Sequence, residues 1–146
     1  MTDSDHRPRV LISNRQSMPV DEAALAELAS ACLVGEGFAD SELSVSFVTA
    51  DEIADLHVRY MDEEGPTDVL SFPLDGEEDE DGVRILGDVV IAPDVAVTNN
   101  AADPAAELRL LLVHGILHLL GHDHDEEDER AEMWARQERY SGIRMP

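Results

Sequence analysis

Residues 108–124 read LRLLLVHGILHLLGHDH, a run apolar enough to be buried nearly all round, yet it carries imidazoles at 114 and 118. A helix is the only regular element of this length that fits the core of a small domain, and on it positions i and i+4 share a face, so His114 and His118 point the same way. Uncompensated imidazoles among Leu, Val and Ile would cost on the order of 1–3 kcal/mol each, so the pair needs a partner. Gly121 stands where a left-handed residue would end the helix and turn the chain back, which brings His124 towards the first two. Three neutral imidazoles are the donor set of a catalytic zinc site with one position left open, and one Zn2+ per chain is expected on His114, His118 and His124. His122 has the wrong helical phase relative to His118, and Asp123 and Asp125 are placed to orient an imidazole or simply to be solvated.

Around this helix the chain alternates short β-leaning runs with amphipathic stretches. A strand over 10–12 precedes an Ala-rich helix opened by Pro19, Val20 and Asp21, with Leu25, Leu28, Ala29, Cys32 and Leu33 as its apolar positions and Gly35 and Gly37 as its stop. A half-buried strand follows over 43–48, then a helix capped by Asp51 with Ile53, Leu56, His57 and Tyr60 on one face. Residues 67–72 and 85–91 read as two more strands, and helices over 93–101, 104–120 and 126–140 complete the order βαβαββααα. The expectation is an α+β fold: one domain over residues 1–146, with a small four-stranded sheet and about five helices packed around it. Helical connections favour at least one parallel pair, so the sheet should be mixed, with the metal site at the C-terminal end of the long helix. At 146 residues such a domain buries roughly 68–70% of its unfolded surface, enough for one core.

Charge narrows the function. Ten basic residues, all Arg, stand against 33 acidic ones for a formal net charge of −23. This argues against wholesale electrostatic wrapping of DNA or of an anionic membrane, and no DNA or membrane partner is expected. Six of the seven residues in DGEEDED, 75–81, are acidic, which reads as an exposed connection. With a Debye length of about 8 Å at physiological salt, that loop need not repel a polyanion bound elsewhere. A single cysteine, Cys32, excludes an internal disulfide, and residues 1–20 hold no apolar export core, so a cytoplasmic location is expected.

The spacing also permits a protease test. The metzincin pattern HExxHxxGxxH is met by His114, His118, Gly121 and His124, but its general base position is Gly115. Losing that carboxylate removes a contribution of typically ~10²–10⁴-fold, whereas metal-assisted phosphodiester cleavage depends on it less, particularly with an Arg to stabilise developing charge.

HGILHLLGHDH over 114–124, together with GPTDVLSFP over 65–73 and LGDVVIAPDVA over 86–96, resembles the YbeY family of bacterial rRNA maturation factors. The three motifs come in the family's order. The resemblance implies a zinc-dependent, single-strand-specific endoribonuclease acting on rRNA of the small ribosomal subunit during maturation and quality control, with that subunit and its proteins as partners. One position departs from the pattern: the family's Arg, directly after an aromatic residue and five before the PT pair, lands on Met61. Arg59, two residues earlier and about 200° round a helix, is the candidate catalytic residue, a cation for phosphate. The family's usual Asn is His57 here. Two rival readings use the same residues: a zincin-like peptidase drawing its base from a residue such as Asp123, and a non-catalytic ribosome-assembly factor with a structural metal, whose acidic loop contacts a basic ribosomal protein.

Overall fold

In SELSVSF each second side chain is buried, the two-residue period of a strand with one covered face. In a computed structural model that describes residues 7–61, 69–73, 82–99, 102–121 and 127–142, this segment is an inner strand of a four-stranded sheet. Chain order is β1 (Arg9–Asn14), α1 (Glu22–Gly35), β2 (Ser41–Phe47), α2 (Ala50–Met61), β3 (Val69–Pro73), β4 (Arg84–Ile91), α3 (Pro93–Asn99), α4 (Pro104–Leu119) and α5 (Glu127–Ser141). The strands lie in the order β1-β2-β4-β3. β1 and β2 are parallel, as are β2 and β4, and β3 runs antiparallel to β4 along one edge. The α+β class, the mixed sheet and the five helices are as the sequence implies. Among the described residues no helix is long and apolar enough to cross a membrane.

Alternation along β4 divides the packing. Val89 and Ile91 face a large core shared with α1, α4 and Met133 of α5, whereas Val90 faces a smaller cluster with Leu70, Ile53 and Leu56. Thus α1 and α4 cover one face of the sheet and α2 packs on the other. This puts the buried helix read from the sequence directly on the β3–β4 pair.

Three local expectations change. β1 runs three residues longer than residues 10–12, because it pairs with β2 along its whole length. Thr49, not Asp51, caps α2: its Oγ1 accepts from the Glu52 amide at 3.2 Å, leaving Asp51 inside the first turn. Gly35 is the last residue of α1 and not its stop, and the chain reverses at Gly37, with φ +89°. A Cβ on Gly35 would lie 2.5 Å from the Tyr140 hydroxyl, so its small size lets α5 approach α1.

That approach carries a polar lock. The Glu36 carboxylate accepts from Arg136 Nη1 at 2.6 Å and from the Tyr140 hydroxyl at 2.7 Å, joining helices a hundred residues apart in sequence. Beneath it, burial, with the Glu36 charge adding, pushes the Cys32 thiol from 9.0 up to about 12. A thiol raised in the folded state leaves its contribution to stability intact below about pH 9 and loses it as pH climbs towards 12. Urea melts of wild type should therefore weaken over that window more than those of Cys32→Ala. A thiol reagent at pH 8 should label Cys32 only in unfolded protein.

Candidate metal centre

Helix α4 opens with Pro104 in its first turn and Asp103 as cap, the Asp103 side chain accepting from the Ala106 amide at 3.1 Å. Its middle is fixed from below. A Cβ added at Gly115 would sit 2.7 Å from Val89 Cγ1 and 3.1 Å from Val69 Cγ2, so the helix rests on the β3–β4 pair at a residue without a side chain. Ser71, buried on β3, donates its hydroxyl to the Gly115 carbonyl at 2.9 Å, tying the same turn to the sheet edge. The position that carries a general base in metzincins therefore faces packed β-sheet.

His114 and His118 flank this anchored turn. Their rings lie 6.4 Å apart between centroids and 8° from parallel, so both imidazoles share one face, as the i, i+4 spacing implies. His114 is half-buried and His118 exposed, a gradient running from core to surface along the face. Gly121 has φ +101°, the left-handed conformation expected to turn the chain after α4. His122, Asp123, His124 and Asp125 lie outside the described residues. Among the described residues no group of three His, Cys, Asp or Glu is gathered as a metal cage.

The sequence reading missed one residue. Gln137 of α5 is 3% exposed, and its Oε1 lies 2.5 Å from Nδ1 of His114. A glutamine on a helix rich in charged residues gives no signal of its own, because the contact depends on α5 folding back over α4. A donor set of two imidazoles, one of them with its second ring nitrogen already engaged, suits a borderline metal such as zinc.

Arg59 stands apart. It sits near the end of α2, its side chain 66% exposed and its Nε 3.1 Å from Asp55 Oδ2, one turn back. α2 packs against β3 and α3, on the face of the sheet opposite α4, and among the described residues no hydrogen bond or ion pair joins Arg59 to His114 or His118. An exposed i, i+4 pair of this kind contributes little, about 0.3–0.5 kcal/mol, so the side chain is cheaply released. The side chain of Met61, residues 62–68 and the acidic run 75–81 lie outside the described residues.

Comparison with known proteins gives a consistent result. A family model described as Endoribonuclease YbeY matches residues 11–142. An Endoribonuclease YbeY of Streptomyces coelicolor is 43% identical over 138 residues, covering 86% of this chain and 84% of that protein. Its counterpart in Thermobifida fusca is 48% identical over 139 residues, covering 86% and 87%. Among solved structures, the solution structure of TM1509 from Thermotoga maritima superposes with a TM-score of 0.56 at 28% identity, covering 92% of this chain and 86% of that one.

Proposed function

This chain belongs to the endoribonuclease YbeY family, and from that premise we propose that it is a zinc-dependent, single-strand-specific endoribonuclease acting in small-subunit rRNA maturation and ribosome quality control in the cytoplasm. The observation that carries the metal part is the pair of near-parallel imidazoles on one face of α4, one of them engaged at its rear nitrogen by a buried amide. His114, His118 and His124 are the proposed ligands of one zinc ion per chain. When bound, the ion supplies a Lewis acid for a phosphoryl oxygen and a water acidified to near-neutral pKa.

The protein's own contribution is position. Gly115 and Ser71 seat the His-bearing turn on the sheet, so the two rings are presented without rearrangement when substrate arrives. Packing at Gly115 leaves no space for a carboxylate base between the ligands, which favours phosphodiester over peptide chemistry. Arg59, which forms an exposed pair with Asp55, is the proposed phosphate-binding cation. Its reach to a polyanion is local, within the Debye length, despite the chain's overall charge.

The test is cleavage of a labelled single-stranded RNA by purified protein whose bound metal is counted by mass spectrometry. About one zinc per chain is expected, with cleavage lost on chelation and restored by zinc. Arg59→Ala should retain the zinc and cleave roughly 10-fold or more slowly, as loss of a charge-stabilising donor implies. Cleavage that ignores the chelator would sink the metal reading.

A further inference from the structure

We propose that Gln137 is the positioning residue of the metal centre: its Oε1 accepts a hydrogen bond from Nδ1 of His114 and so holds the ring as the tautomer that carries its ligating lone pair on Nε2. This deepens the metal reading above and rests on it for the ligand role.

An amide oxygen only accepts, so at 2.5 Å from Nδ1 it selects a ring protonated there. A neutral imidazole carries one proton, and placing it on Nδ1 leaves Nε2 as the sole acceptor. Gln137 is 3% exposed, so water does not compete freely for its oxygen, and breaking the bond would leave a buried acceptor unpaired. The ring of His118, 8° from parallel with that of His114, then shares a face with an already oriented ligand.

The backbone under Gln137 is itself held. The Gln137 carbonyl accepts from the Ser141 hydroxyl at 2.5 Å, one turn on. Arg136 and Tyr140, four residues apart on one side of α5, both close onto Glu36 of α1. Residue 137, about 100° further round the helix from 136, faces α4 instead. α5 is therefore a plate with one edge fixed to α1 and the other set against His114, and small Gly35 lets the fixed edge close. A neutral amide orients the ring without placing a further negative charge in a chain already at −23.

The experiment uses zinc-free full-length protein with 15N-labelled histidine, and long-range 1H–15N NMR at about pH 8.5, well above the ordinary imidazole pKa of about 6.5. Wild type should show His114 protonated on Nδ1. Gln137→Leu, which keeps the volume and removes the acceptor, should lose that preference while the His118 signals stay in place. Gln137→Glu, which restores an oxygen acceptor, should recover it. Zinc competition against a colorimetric chelator should show binding about 10–100-fold weaker in Gln137→Leu and largely restored in Gln137→Glu. A wild-type His114 protonated on Nε2, or a tautomer unmoved in folded Gln137→Leu, would overturn the proposal. If Gln137→Leu does not fold, the wild-type and Gln137→Glu tautomers decide it alone. A wild type that holds the tautomer but takes up no zinc overturns the metal reading and leaves the orienting role of Gln137 standing.

Discussion

His114→Ala should cleave single-stranded RNA at least ~10²-fold more slowly than wild type, the upper end of what losing even a ligand's supporting partner costs, and should be isolated with little zinc. The loss comes from position in the fold. His114 is the more buried of the two imidazoles on α4 and the one whose rear nitrogen is engaged by Gln137. Stability should change less: the substitution strands the Gln137 oxygen, at about 1–3 kcal/mol, while the helix gains a strong former. Circular dichroism and a melting curve, run beside the cleavage assay, separate the two effects. Undiminished cleavage by folded His114→Ala would mean that the imidazoles are not the centre.

The second large effect lies one residue on and is one of folding. Gly115→Ala removes a glycine from a helix interior, which alone would stabilise by about 0.8–1.0 kcal/mol. Here the new methyl would lie 2.7 Å from Val89 Cγ1 and 3.1 Å from Val69 Cγ2. Overpacking of that kind costs typically 1–3 kcal/mol, so the net change should be destabilising by up to about 2 kcal/mol in urea unfolding. Gly115→Glu adds a carboxylate with no partner against packed apolar sheet, at several kcal/mol more, out of the about 5–15 that hold a domain of this kind together. That protein should be recovered unfolded or aggregated at 25 °C. A Gly115→Ala protein more stable than wild type would show that the sheet yields and that the helix is not pinned there. The same packing explains why the chain matches a zincin's histidine spacing without its base: the position belongs to the helix–sheet contact.

Much of this was legible from residue order. The βαβαββααα succession, the buried helix 104–120 and the shared face of His114 and His118 all follow from periodicities that act within one element, and the mixed sheet from the helical connections between strands. The left-handed turn at Gly121 likewise needs only its own backbone. What escaped depends on two elements meeting. Gln137 has no meaning until α5 folds over α4, and Gly35 reads as a helix stop until Tyr140 is seen against it. Thr49 displaced Asp51 as cap because both are good capping residues, and the choice is set by where β2 delivers the chain. The family position for an Arg reads Met61 here, and Arg59, the candidate in its stead, stands on α2, whose Ile53 and Leu56 pack on the face of the sheet away from α4.

The lock between the first and last helices also orders events in time. Glu36 is gripped by residues 100 and 104 positions later, and Gln137 lies between those two in sequence. A chain made amino end first therefore contains His114 before Gln137 has been added to it. On the reading proposed above, the contact that orients His114 is therefore made only once α5 has docked on α1, which sets the completion of the centre late in the synthesis of the chain.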